Sequence, residues 1–362
     1  MFSPTYKNLS MHLMARTHIG MAALVILGLT WGPGGDRAAW ALDRVYPRQD
    51  VPASGKIVEL TPTSVTIEVR GKNQTYSLDD VRKITFDGEP DELDRAREHV
   101  LNEQYEQAID ELKKIDLAAI KAPLIRQDIE FYRWFAEGKL ALAGNGDKAA
   151  AIKGLLDLAA ANRNTHHLFP LSQMLGDLAM AVGQPERAAS YYNMLLRAES
   201  PTTKARGVYL LARVDLAQDK PQEARQRFEQ LIAAQTATPE MARIKKLAEV
   251  GIAVCDTLSG KPQEALQRLE RMIQENDSSD QELFARISNA QGACYAAMGR
   301  TVDALLSYLK TDMLFFTDPE AHAEALYHLK RLWAEYGQPS RAAEAGARLT
   351  SRYASSVWAS KP

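Results

Sequence analysis

Few residues in this chain have side chains whose type and spacing suggest chemistry. His166 and His167 stand side by side, Cys255 and Cys294 are the only thiols among 362 residues, and carboxylates recur in pairs such as Asp110-Glu111. Two imidazoles suggest a metal, but neighbours on a helix point about 100° apart and no Cys or Glu cluster flanks them in sequence, so no metal site is expected. Glu98, Glu223, Glu229 and Glu264 fall where a solvated helix face is expected and do not single out an acid–base pair. A phosphate-cradling glycine loop, HExxH, CxxC and GxSxG are all absent. Catalysis and a cofactor are therefore not expected.

The elements that must carry these residues repeat. GQPERAASYYNML (183–195) returns as DKPQEARQRFEQL (219–231), GKPQEALQRLERM (260–272), GRTVDALLSYLKT (299–311) and GQPSRAAEAGARL (337–349). Weaker copies are NEQYEQAIDEL (102–112) and NGDKAAAIKGL (145–155). Each copy reads as a turn followed by a helix. Aligning them on a central alanine gives Ala108, Ala150, Ala188, Ala224, Ala265, Ala304 and Ala342. Twelve residues earlier stand Ala96, Gly138, Gly176, Ala212, Ala253, Gly292 and Lys330, all small but the last. Two small residues facing each other across a turn let the backbones of a helix hairpin approach closely. One helical turn after each alanine come Leu112, Gly154, Tyr192, Phe228, Leu269, Tyr308 and Gly346, the large ones positioned to fill the space between hairpins. A recurrence at this period predicts a solenoid of about seven helix hairpins.

A small residue, a twelve-residue step, an alanine and then an aromatic or leucine one turn on resemble the tetratricopeptide repeat (TPR) family over roughly residues 89–357. The departures are the long units, Lys330 at a small position, and Gly154 and Gly346 at large ones. The resemblance implies a mainly α, TPR-like solenoid that binds a protein or peptide in its concave groove. It further implies that first-helix residues three before, one after and four after the small anchor line that groove. On this count Gln173, Asp177, Tyr209, Arg213, Asn289, Tyr327 and Arg331 are the expected binding residues. Tyr and Arg often dominate binding energy, and Asn and Gln can pair with a peptide backbone.

With 46% hydrophobic and 25% charged residues the chain has an ordinary globular composition. A formal net charge of −2 without a long basic run argues against nucleic acid as partner. Two cysteines are too few for a disulfide-held fold, and they occupy equivalent positions on successive first helices, an expected separation of about 8–10 Å that is too long for a bridge. Residues 1–41 read as an export signal: Lys7 and Arg16, the apolar run IGMAALVILGLTW (19–31), then Ala39-Trp40-Ala41 as a small-x-small cleavage site. Thirteen apolar residues rise only about 20 Å as a helix, so a membrane enters only if the signal stays as an uncleaved anchor. The expected location is periplasmic or otherwise associated with the cell envelope.

Residues 42–90 change to period-two alternation, with strands expected at Lys56–Leu60, Val65–Arg70, Thr75–Leu78 and Lys83–Phe86. The patterns GKIVELTPTSVTIEV and VRKITF resemble small SH3-like or Sm-like β modules. The expected domains are a signal (1–41), a β module (42–90) and a helical repeat domain (91–362). The function expected is that of a non-catalytic exported scaffold. The alternatives are an enzyme or enzyme subunit with a site between module and solenoid, and a structural component of the envelope.

Overall fold

The computed structural model describes residues 42–361 apart from residue 237. The expected export signal lies outside the described residues.

Five strands come first: β1 (Asp43–Pro47), β2 (Ala53–Leu60), β3 (Ser64–Val69), β4 (Lys72–Ser77) and β5 (Val81–Thr85). They form one antiparallel sheet in the order β4-β3-β2-β1-β5. Strand β1 joins the expected four, pairing with both β2 and β5 through Arg44 and Val45. A register shift between Ile57 and Glu59 bends β2, so that a sheet of this size curls over its apolar face. That face is not self-contained. Val45, Val65, Ile67, Ile84 and Phe86 share one core with Leu93, Ala108 and Ile129 of the helices that follow. The edge strand β5 is also held by charge, since Lys83 reaches Asp94 at 2.6 Å and Glu98 at 2.7 Å.

Seven helix hairpins follow, α1 (Asp91–Leu101) with α2 (Tyr105–Leu112), α3 (Pro123–Leu142) with α4 (Lys148–Ala161), α5 (Leu168–Ala181) with α6 (Pro185–Leu195), and α7 (Pro201–Ala217) with α8 (Pro221–Ala233). The series continues with α9 (Pro239–Leu258) and α10 (Pro262–Glu275), α11 (Gln281–Ala297) and α12 (Thr301–Leu314), α13 (Pro319–Glu335) and α14 (Pro339–Tyr353). A short α15 (Val357–Ser360) ends the described chain. The architecture is a TPR-like α-solenoid preceded by a small antiparallel sheet.

Local chemistry sets the helix boundaries. Eight helices begin with Pro at their first or second position, where its missing N–H costs nothing. The loop residues Thr238 and Asp280 cap α9 and α11 by accepting hydrogen bonds from Met241 N and Leu283 N, both at 3.1 Å. Each hairpin turn passes through one left-handed residue, typified by Gly183 at φ 70°.

Within the hairpins the small-to-small register holds where the turn is short. A Cβ on Gly176 would lie 2.2 Å from the Tyr192 ring, and one on Gly292 would lie 2.5 Å from the Tyr308 ring. The second hairpin departs from the expected register. Its left-handed Gly144 is separated from the helix cap Asp147 by two extra residues, Asn145 and Gly146. Ala150 is therefore exposed, while Ala151 and Leu155 are fully buried in the central and large positions. The two glycines that the sequence alignment placed at large positions each face a bulky side chain of the first helix. The Trp134 indole of α3 fills the space over Gly154, and the Lys330 stem of α13 lies over Gly346, 3.5 Å from where its Cβ would be.

The last hairpin returns to the second. Lys148 Nζ on α4 donates to Ser355 Oγ at 2.7 Å, and Arg352 Nε donates to the Ala143 carbonyl at 3.2 Å. Gly144 is the contact point, because a Cβ there would meet the Arg352 carbonyl oxygen at 2.0 Å. Tyr353 is buried, and Trp358 folds back onto Tyr327 of α13 with ring centroids 5.6 Å apart.

Candidate binding surface

The expected groove residues lie on the first helices α5, α7, α11 and α13, and the packing explains how each is held. On α5, Gly176 leaves room for the Tyr192 ring to cross from α6, and the Tyr192 hydroxyl donates to Asp177 Oδ1 at 2.8 Å. Burial pushes the Asp177 carboxyl up, against the pull of Lys139 and Arg213. Gln173 lies half-buried one turn earlier.

On α7, Tyr209 is buried, and the Arg213 guanidinium sits 5.9 Å from its ring centroid. Arg213 also forms an ion pair with Glu320 at the start of α13, so side chains from the fourth and seventh hairpins meet. Asn289 on α11 is buried and fully used. Its amide donates to the Ala321 carbonyl at 2.8 Å and to Glu324 at 3.0 Å, and its oxygen accepts from Thr311 at 2.7 Å. On α13, Tyr327 is buried beneath Trp358, while Arg331 is exposed and lies over the Tyr327 ring at 5.7 Å. Gln173, Asp177, Arg213 and Arg331 thus retain accessible surface, whereas Tyr209, Asn289 and Tyr327 are packed.

Sequence reasoning missed a ladder of ion pairs along this side. Arg206 pairs with Glu240, Arg243 with Asp280 at 2.8 Å and Glu282 at 2.7 Å, and Arg286 with Asp318 at 2.9 Å. Each arginine on one first helix thereby grips the acidic start of the next. Burial works against the charge on Glu282, but Arg286 and Arg243 hold its carboxyl down to about 2. The signal was present in the recurrent helix starts Thr238-Pro239-Glu240, Asp280-Gln281-Glu282 and Asp318-Pro319-Glu320.

A second cluster lies where the sheet meets the helices. Arg97 is fully buried, donating to Glu89 at 2.6 and 2.8 Å and to Asp128 at 2.8 Å. Asp128 Oδ1 also contacts His167 Nε2 at 2.8 Å and His166 Nε2 at 3.0 Å. These three residues place possible ligand atoms within 4.8 Å of one another, a convergence the sequence did not reveal. The Arg97 guanidinium already occupies the carboxylate, however, so an added cation would face a fixed positive charge. The arrangement ties the segment after β5, α1, α3 and the loop before α5 together. Burial opposes the charge on Asp128, yet His167, His166 and Arg97 together hold its carboxyl well below the ordinary value.

His167 stacks on Phe131 at 3.6 Å, and burial lowers its imidazole to about 4. A folded value below the unfolded one, about 6.5, means that His167 contributes its full stability above pH 6.5 and loses it as the pH falls towards 4. Asp177 and Glu324, raised by burial, act with the opposite sign, so the imidazole resonance is the cleaner observable. Titration followed by NMR is expected to give His167 a midpoint near 4; a midpoint at its ordinary value contradicts a neutral buried ring. Cys255 and Cys294 are free and buried, and burial pushes the Cys255 thiol up to about 11, out of the reactive range.

No protein-family profile matches the chain, and no curated protein matches it. Among solved structures it is similar to a tetratricopeptide repeat protein from Parabacteroides merdae, with a TM-score of 0.49 and 16% identity over 72% of this chain and 91% of that one. A Rap protein complexed with competence and sporulation factor gives a TM-score of 0.48 and 16% identity, covering 74% of this chain and 77% of the other. YrrB, a TPR protein with an unusual peptide-binding site, gives 0.27 and 20% identity over 55% and 92%. The repeat architecture is therefore read from the hairpins of this chain itself.

Proposed function

We propose that the protein is a non-catalytic, exported scaffold that binds an extended segment of another protein along its concave side. The observation that carries this reading is the ion pair between Arg213 and Glu320, which brings inner positions of the fourth and seventh hairpins face to face. A ligand lying there touches several first helices at once, among them those bearing Gln173, Asp177 and Arg331. An α-helix about 10–12 Å across does not fit between walls in direct contact, whereas an extended chain competing for Arg213 does. The β module docks on the first hairpins and, in this reading, extends the scaffold.

A photo-crosslinking residue placed at Gln173 or Arg331 is expected to capture a partner in the native extract, while the same residue at the outward Gln267 is not. Equal capture from all three positions removes the groove from consideration. Export is supported by the composition of residues 1–41. N-terminal sequencing of the native protein is expected to begin near Leu42, and a start at Met1 in a cytoplasmic fraction would overturn it.

A further inference from the structure

Helix α12 departs from its neighbours on its outward face. At two before and two, five and nine after the central alanine, α10 carries Gln263, Gln267, Glu270 and Gln274, and α14 carries Ser340, Glu344, Ala347 and Ser351. The same positions of α12 are Val302, Leu306, Leu309 and Met313. Three of them are 49%, 55% and 68% exposed, namely Val302, Leu306 and Met313. Spacings of four, three and four residues form a coiled-coil seam, a stripe suited to a partner helix rather than to solvent.

The stripe is complementary to itself. Beside its N-terminal half, the gap between α12 and the α13–α14 turn holds a cavity of about 320 Å³ lined by Leu305, Leu306, Trp333, Tyr336 and Arg341. At its C-terminal end Met313, Leu314 and Phe316 protrude, 68%, 59% and 44% exposed. Charge follows the same polarity. Asp303, bonded to Arg300 at 2.8 Å, flanks the seam at one end, and the exposed Lys310 flanks it one heptad later on the same side.

We propose that α12 pairs antiparallel with α12 of a second copy of this chain, about a two-fold axis passing between Leu306 and Leu309. This axis sets Leu306 against Leu309 and Val302 against Met313 of the second copy. It carries the protruding end of each helix to the cavity of the other, and brings Asp303 to Lys310 in both directions. One patch that meets its own image forms a closed, isologous interface. An antiparallel axis is favoured over a parallel one because hole and protrusion, acid and base, lie at opposite ends of one helix.

Sedimentation equilibrium of the protein isolated from its native host tests this. The expected result is a dimer at about 100 μM, a concentration at which even weak association is populated. Leu306→Glu, at an exposed position, is expected to give a monomer with an unchanged far-ultraviolet spectrum. Asp303→Lys is expected to weaken the dimer about tenfold, and adding Lys310→Glu to restore it, because the swapped charges again meet their opposites. A wild-type monomer, a dimer indifferent to Leu306→Glu, or an Asp303→Lys dimer as tight as the wild type overturns the proposal. Capture of an unrelated protein by a monomeric α12 stripe would overturn it equally.

Discussion

Arg97→Leu is expected to destabilise the folded chain by about 3–5 kcal/mol, because it leaves the buried carboxylates of Glu89 and Asp128 without their cation. The guanidinium joins the segment after β5, through Glu89, to α1 and to Asp128 on α3. Its loss therefore loosens the sheet from the helices before the later hairpins respond. Denaturant unfolding measures the total, and limited proteolysis is expected to cut first near Asp87-Gly88. Neutralising the abandoned acids in the triple variant Arg97→Leu, Glu89→Gln, Asp128→Asn is expected to recover part of the loss, since the penalty lies in the orphaned charges. An Arg97→Leu chain that melts like the wild type would show that the cluster holds nothing together.

The same substitution at two glycines in the repeat is expected to act with opposite sign. At Gly176 the new methyl meets the Tyr192 ring at 2.2 Å, with both helices fixed by packing on either side, so Gly176→Ala is expected to cost about 1–3 kcal/mol. At Gly346 the nearest atom is the mobile Lys330 stem at 3.5 Å, and the residue lies inside α14, so Gly346→Ala is expected to gain up to about 1 kcal/mol from helix propensity. Thermal melting of the two single variants decides the matter; two shifts of the same sign would contradict the exchange of sizes between the first and second helices of a hairpin.

These cases also show what the sequence made legible. Gly176 on α5 meets Tyr192 on α6 only sixteen residues on, so their contact is local, and the recurrence of that pattern defines the hairpins. The longer turn at Gly144–Asp147 breaks the step, and the alignment slipped to Ala150, although Ala151 lies buried. Strand β1 was hidden because its short pairings, through three residues with β2 and four with β5, are made with strands whose positions it does not itself encode. Arg97, Asp128 and His167 gather from two separate helices and the loop before a third, at separations of 31 and 39 residues, and no local pattern reports such a meeting. The groove positions could be counted, but Arg213 finds Glu320 through the curvature of the whole array. Asn289 likewise owes its burial to neighbours on α12 and α13.

The bonds from Lys148 to Ser355 and from Arg352 to Ala143 change the mechanics of the molecule. A linear array of hairpins frays from its ends and stretches like a coil spring, each unit answering only to its neighbours. Here the seventh unit is clasped to the second, so the terminal hairpin cannot peel away without breaking contacts far along the chain. Elastic compliance is exchanged for a fixed curvature. For the peptide ligand proposed above, this means that binding cannot pry the coil wider, and the width of the ligand's backbone, rather than the strength of its grip, becomes the first criterion for admission.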